Sequence, residues 1–308
     1  MPIIIPKKIP AFEVLSKENI FVMAEKRAIN QDIRPIEIAV LNLMPTKIET
    51  ETQLMRLLSN SPLQVNITLL NTKSYQSKNT SKTHLDRFYK SFDDIKFRRF
   101  DGMIITGAPV ETMKFEDVDY WQELSEILDY AKEYVTSTLF ICWGAQAALY
   151  KYYGIDKCTM DKKLFGVYPH RAVVEFDPLL KGMDDVFYIP HSRYTSSVGA
   201  QIDRCKELIK LAVSEQAGPS VIKSKDNRLF FFSGHSEYDR ETLNNEYLRD
   251  KSKGIDISPP CNYFTDETHS NINMKWKAAA NLLFSNWLNY YVYQVTPYDI
   301  SSINGVKP

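Results

Sequence analysis

A cysteine that ends one predicted strand and opens one predicted helix carries the strongest chemical signal in this chain. In Thr138-Leu139-Phe140-Ile141-Cys142-Trp143-Gly144-Ala145-Gln146, an apolar run stops at Cys142 and small, helix-favouring residues follow at once. Strand, sharp turn and helix make the plan of a nucleophile elbow, here with sulfur in place of a serine oxygen. Such a turn lifts the side chain clear of the sheet. It also leaves the first N–H groups of the helix unpaired beside the reacting atom. Those donors favour a thiolate and can later bind an oxyanion. A lone cysteine is more commonly a buried space filler, so the elbow alone leaves both readings open.

Partners for the thiol lie in Arg228-Leu229-Phe230-Phe231-Phe232-Ser233-Gly234-His235-Ser236-Glu237. This reads as a hydrophobic strand that ends in His-x-Glu. A histidine just past a strand end stands at the rim where open α/β sheets place their sites. His235 could take the Cys142 proton, and Glu237 could orient the imidazole and stabilise its cation, which is triad logic with Cys and Glu substituted. The alternative is a structural histidine at a strand end, and Glu241 competes with Glu237 for the part of orienting carboxylate.

The elements that must position these residues alternate through the first half. Strands are expected at 36–43, 63–70, 100–106 and 138–141, with helices at 48–58 and 120–134. In the second helix Trp121, Leu124, Ile127, Leu128 and Ala131 share one face. Short apolar strands alternating with helices predict an open, mostly parallel sheet with helices on both faces, a flavodoxin-like α/β fold. Past Tyr153 the pattern changes to strands at 165–176, 186–189, 208–214, 220–224 and 229–233, and helices return at 240–253 and 276–293. Residues 71–83 read as a surface loop. One domain over 1–308 is expected, with 1–34 wrapping around it and 297–308 fraying.

Lys plus Arg and Asp plus Glu both number 38, so zero formal charge gives no support for nucleic acid or an anionic membrane as partner. The four cysteines, Cys142, Cys158, Cys205 and Cys261, form no C-x-x-C pair and no zinc pattern, which fits a reduced, cytoplasmic compartment and no bound metal. Prolines break the N-terminus before any secretory core forms, and no stretch approaches the ~20 apolar residues of a membrane span.

Several segments in order resemble the homoserine O-acyltransferase family, the homoserine trans-succinylases and trans-acetylases, on a class I glutamine amidotransferase-like fold. They are Leu41-Asn42-Leu43-Met44-Pro45-Thr46-Lys47, Thr106-Gly107-Ala108-Pro109-Val110-Glu111, Phe140-Ile141-Cys142-Trp143-Gly144-Ala145-Gln146, Lys163-Leu164-Phe165-Gly166-Val167, Pro190-His191-Ser192-Arg193 and Gly234-His235-Ser236-Glu237-Tyr238. The resemblance runs from Met1 to about residue 288. It implies acyl transfer from an acyl-coenzyme A to the hydroxyl of L-homoserine through a thioester on Cys142, in a homodimer with no tightly bound cofactor. His235 is the implied proton acceptor and Glu237 its partner. The Trp143 N–H, next after the nucleophile, is expected in the oxyanion hole, with Lys47 as a second contributor. Lys163, Ser192 and Arg249 are carried over as substrate contacts. A guanidinium can grip an amino-acid carboxylate with two parallel hydrogen bonds.

Glu111 matches a position that resembles an acyl-donor switch, Glu in acetyl-specific members and Gly in succinyl-specific ones. A glutamate there would fill the volume of the longer chain and repel its carboxylate. The expectation is therefore acetyl-CoA as donor and O-acetyl-L-homoserine, a precursor of L-methionine, as product. Three competing readings remain: a succinyltransferase, a glutamine-hydrolysing amidotransferase with the same Cys-His-Glu set, and a non-catalytic redox-sensing protein built on a low-pKa cysteine.

Overall fold

The computed structural model describes residues 3–18, 22–23, 34–74 and 79–303. The first half runs β1 (Ile3–Ile4), α1 (Pro10–Lys17), β2 (Val22–Met23), β3 (Ile36–Leu41), α2 (Lys47–Leu58), β4 (Val65–Leu70), α3 (Lys82–Phe88), β5 (Tyr89–Lys90), β6 (Phe100–Ile105), α4 (Trp121–Tyr134), β7 (Val135–Ile141) and α5 (Trp143–Tyr153); β3, α2, β4, β6, α4, β7 and α5 answer to elements the sequence predicts, and the others were not foreseen. The second half runs β8 (Lys157–Ala172), β9 (Phe187–Ser197), α6 (Gly199–Arg204), β10 (Leu208–Ser214), β11 (Gly218–Ser224), β12 (Leu229–Phe232), α7 (Thr242–Ser252) and α8 (Lys277–Asn286).

These strands join in the order β2-β1-β4-β3-β6-β7-β12-β11-β10-β8-β9, with β5 also on β4. Neighbours from β2 to β12 are parallel, whereas β12 to β9 pair antiparallel. Strand alternation sorts the core onto two faces. Leu139 and Ile141 of β7 pack with Leu283, Phe284 and Trp287. Phe140 between them packs on the other face with Leu124 and Leu128 of α4 and with Ala148 of α5. Both faces are covered, as a parallel sheet requires.

The chain lays β4 on one side of β3 and then β6 on the other, so order reverses beside β3. Open α/β sheets bind ligands outside the carboxyl ends of strands at such a switch point. Here the rim is closed by Leu43 N–H donating to the Thr106 hydroxyl at 2.8 Å and Thr106 N–H to the Leu41 carbonyl at 3.1 Å.

The strands expected at 165–176 and 186–189 run instead over Lys157–Ala172 and Phe187–Ser197, because the two pair as one long antiparallel ribbon. Three further expectations need adjustment. The helix foreseen over 276–293 is α-helical only to Asn286 and continues as a π-helix over Trp287–Tyr293. The wider turn seats fully buried Trp287, whose indole N–H reaches the Ser137 hydroxyl at 2.9 Å. The loop expected at 71–83 already contains the start of α3 at Lys82, with Ser81 as its cap, and its residues 75–78 lie outside the described ones. Residues 297–303, expected to fray, are docked as far as Ile303: its carbonyl accepts from Arg99 at 2.6 Å and its side chain is buried. Residues 304–308, and 1–2, 19–21 and 24–33 of the expected N-terminal wrap, lie outside the described residues. Its described strands and helix are β1, paired on β4, the edge strand β2 beyond it, and α1, packed by buried Ala11 and Leu15.

Candidate active site

Cys142 occupies the turn between β7 and α5 with φ 50° and ψ −115°. Such a backbone is strained for a residue with a side chain and persists only where its surroundings hold it. Its N–H donates to the Phe232 carbonyl at 2.7 Å, and its carbonyl accepts from Gln146 N–H at 3.1 Å, the first bond of α5. Gly144 makes the fit possible: a Cβ there would lie 2.6 Å from the Thr106 carbonyl oxygen. The turn thus tucks the start of α5 against the end of β6 and leaves Cys142 only 6% exposed.

Because β7 and β12 pair in parallel with Ile141 opposite Phe232, the residues that follow each strand come out side by side. His235 N–H donates to the Pro190 carbonyl at 2.8 Å, and its Nδ1 meets Glu237 Oε1 at 2.7 Å. With Nδ1 spent on the carboxylate, Nε2 is left for sulfur. Burial opposes a charged imidazole, but the Cys142 sulfur and the Glu237 carboxylate outweigh it and hold the His235 pKa well above histidine's usual value. Cys142 Cβ and His235 Cε1 each lie 3.3 Å from the point a Gly107 Cβ would occupy, with Met44 Sδ at 3.6 Å from it. The cysteine and histidine therefore converge across a bare glycine. The structure brings the three residues of the expected triad together.

A second group stands beside it on β8, β9 and α7. Lys163 Nζ reaches Asp250 at 3.0 Å and Glu246 at 3.9 Å. Ser192 Oγ donates to Glu246 Oε2 at 2.5 Å, while Arg249 grips Asp250 Oδ1 through Nε at 2.8 Å and Nη2 at 2.7 Å. Lys163, Ser192 and Arg249 are thus gathered in one cluster, organised by two carboxylates that sequence reasoning passed over. Tyr238 joins this cluster to the triad. Its hydroxyl donates to Glu246 Oε1 at 2.8 Å, and its ring stacks on His235 with centroids 4.3 Å apart.

Glu111 follows the end of β6, and its Oε2 accepts from Tyr194 N–H at 2.8 Å and from Thr195 N–H and Oγ1 at 3.0 Å each. It is anchored to β9, not free to swing. Beside it is Arg193, 1% exposed, which donates to His191 Nδ1 and to the carbonyls of Thr195 and Ala217. Burial lowers the Arg193 pKa while the charges of Cys142 and Glu111 raise it, which places a buried guanidinium within electrostatic reach of both. No sequence pattern singled out Arg193, although it lies in a segment that carried the resemblance.

Lys47 opens α2 and is 6% exposed. Its ammonium donates to the Asn42 carbonyl at the end of β3. The side chain lines a cavity of about 190 Å³ with Leu43, Met44, Val110 and Tyr120. Met44 links that cavity to the Gly107 point shared by Cys142 and His235. Trp143 is fully buried, and its backbone N–H follows the thiol at the first position of α5. Among the described residues, no His, Cys, Asp and Glu side chains gather in threes as metal ligands, and no helix is long and apolar enough to cross a membrane.

Comparison with known proteins points the same way. A profile described as homoserine O-succinyltransferase matches residues 2–298. A homoserine O-acetyltransferase of Petrotoga mobilis is 55% identical over 305 residues, 99% of each chain. One from Shouchella clausii is 57% identical over 301 residues, 97% of each chain. Among solved structures, a glutamine amidotransferase of Thermotoga maritima superposes with a TM-score of 0.56 over 83% of this chain and 98% of its own, at 12% identity. That last likeness speaks to the fold alone.

Proposed function

Since the chain belongs to the homoserine O-succinyltransferase family and is an acyltransferase of homoserine, we propose that it carries acetyl from acetyl-CoA to the hydroxyl of L-homoserine by way of a thioester on Cys142. The observation that carries this reading is the strained turn that presents Cys142 to a His235 backed by Glu237.

In the first half-reaction the sulfur, deprotonated by His235, attacks the thioester carbonyl. The oxyanion takes the Trp143 N–H at the start of α5, with the Lys47 ammonium as a second donor. Collapse expels the coenzyme A thiolate, which takes the proton held on His235. With coenzyme A gone, His235 is neutral again and withdraws the proton of the homoserine hydroxyl as it attacks the acyl-cysteine. O-acetyl-L-homoserine leaves, and the proton returns to the Cys142–His235 pair. The product serves methionine biosynthesis in this reading.

The second cluster suits an amino acid. Lys163 and Arg249 offer cations to its carboxylate, and Glu246 offers an acceptor to its ammonium. Through Tyr238 the ammonium site abuts the base that must act on the hydroxyl. Acetyl over succinyl rests on Glu111. The family description names succinyl transfer, whereas the relatives named above are acetyltransferases. In this reading the carboxylate anchored beside Thr195 takes the space, and opposes the charge, of a succinyl tail.

Intact-protein mass spectrometry after acetyl-CoA, without homoserine, tests the reading. The expected result is one added acetyl group on the Cys142 peptide, removed when homoserine is supplied, and absent from Cys142→Ala. Acylation of Cys142→Ala at the normal rate, or transfer that requires both substrates bound together, would refute it.

A further inference from the structure

Behind Lys47 lies a set of buried polar side chains that the proposed reaction does not use, and from it we infer that Glu51 is a positioning residue, whose carboxylate, clamped by His84 and Tyr89, keeps Lys47 in its ammonium form and docked at the sheet rim. Glu51 stands one helical turn after Lys47 on α2, so the two share a face. Its side chain is 1% exposed, in a helix face that packs on the sheet and would ordinarily be apolar. Burying a carboxylate is expensive unless it is well bonded.

Here it is well bonded. The Tyr89 hydroxyl donates to Glu51 Oε1 at 2.6 Å, and His84 Nε2 lies 3.0 and 3.2 Å from the two carboxylate oxygens. Asn42 Nδ2 donates to the same Tyr89 hydroxyl at 2.9 Å, and the Asn42 carbonyl accepts the Lys47 ammonium. That ammonium also stands 5.6 Å from the Tyr89 ring centre, on the side of its negative face. The end of β3, the first turn of α2, α3 and β5 thus close one frame around a single amine.

Among the described residues, the titratable groups that meet Lys47 directly are Glu51 from its own helix and Tyr89 from β5, with His84 of α3 behind Glu51; Tyr120 shares its cavity, and Glu49, Arg56 and Asp239 line a second, more open one beside it. Burial pulls the Lys47 pKa down to about 8, and the Glu51 charge is the force that opposes it. A lysine at that value is still mostly cationic near neutrality, but has little margin. Glu51 itself is pushed upward by burial, and Tyr89 and His84 counter that push by bonding its ionised form. Burial wins in part, so Glu51 stays raised, but the clamp favours its charged form, and that charge favours the ammonium form of Lys47. An ammonium stabilises an oxyanion far better than a neutral amine does.

The inference draws its purpose from the proposed reaction, but its test does not depend on that reaction. In full-length protein labelled with ¹³Cε-lysine, the Lys47 resonance is assigned by its loss in Lys47→Arg and followed against pH. Its midpoint is expected near 8 in the wild type. In Glu51→Gln it should fall by about one unit or more, a tenfold shift in the protonation equilibrium. The alkaline limb of kcat/KM for acyl transfer should move to lower pH with it. Glu51→Asp, which keeps the charge, should restore most of both. Tyr89→Phe removes one clamp and keeps the carboxylate, so it should give a smaller fall and stands in if Glu51→Gln does not fold. An unmoved Lys47 midpoint in either variant overturns the inference, as does a moved midpoint with a stationary alkaline limb. A wild-type protein that transfers no acyl group would instead refute the proposed reaction, while the NMR titration would still decide the role of Glu51.

Discussion

Gly107→Ala isolates the geometry of the reacting pair from its chemistry. The added methyl would sit 3.3 Å from Cys142 Cβ and 3.3 Å from His235 Cε1, just inside ordinary contact, and 3.6 Å from Met44 Sδ. Alanine can adopt the backbone here, because Gly107 is not among the glycines with positive φ. The methyl must therefore wedge cysteine and histidine apart by a few tenths of an ångström. Forcing a methylene into a packed core typically costs ~1–3 kcal/mol, and this mild overlap belongs at or below the low end. Misplacing reacting groups by ~1 Å can cost about 100-fold in rate, so a few tenths should cost roughly 5–20-fold. The assay is the rate of Cys142 acylation by acetyl-CoA without acceptor, beside urea unfolding. The expected result is slower acylation with a stability loss under about 1 kcal/mol. Gly199→Ala, where a Cβ would meet nothing within 4 Å, serves as control and should leave both unchanged. Acylation within twofold of wild type in Gly107→Ala would refute the idea that Gly107 sets the sulfur–imidazole approach. A stability loss of several kcal/mol would refute it equally, because the wedge would then be deforming the core and not the pair.

Glu237→Gln removes one of the two charges that hold His235 protonated, so the His235 pKa should fall. A histidine raised in the folded state adds stability that is complete below its unfolded pKa of ~6.5 and is lost as pH rises through the folded value. Proton NMR of His235 and melting temperature against pH should both show that loss moved to lower pH, and an unchanged midpoint would contradict it. Glu111→Gly frees the Tyr194 and Thr195 amides and removes a like charge, which at ~4 Å and an effective dielectric of 20 is worth about 4 kcal/mol. The ratio of succinyl-CoA to acetyl-CoA kcat/KM should rise at least tenfold, and a fixed ratio would detach Glu111 from donor choice. Arg249→Ala should raise KM for homoserine and spare acylation of Cys142; loss of acylation with normal homoserine binding would assign Arg249 elsewhere.

Legibility in the sequence followed the range over which each feature is determined. Cys142 and the His235-x-Glu237 pair could be read because strand, turn and helix are local patterns, and a parallel pairing of two such strands brings their ends together. Strands β3, β6 and β7 of the parallel half were legible for the same reason: each apolar run there ends near a helix that must cover it, whereas the two-residue strands β1, β2 and β5 are too short to leave a pattern. The antiparallel half was not, since nothing local says that β12 leads outward to β11, β10, β8 and β9 in that order. Glu246 lay hidden in a helix charged throughout, and only the register of β9, which sets Ser192 opposite Phe165, decides which of its carboxylates meets the serine. Glu51 was hidden more deeply. Four residues after a lysine, a glutamate reads as a surface pair of the kind that decorates exposed helices. Its significance is that both members are buried, and burial depends on α3 and β5, which bring His84 and Tyr89 across from a separate part of the chain. A charged pair at helical spacing thus has opposite meanings on the two faces of the same helix. On the outer face solvent makes it nearly inconsequential, whereas on the inner face each charge determines whether the other can exist.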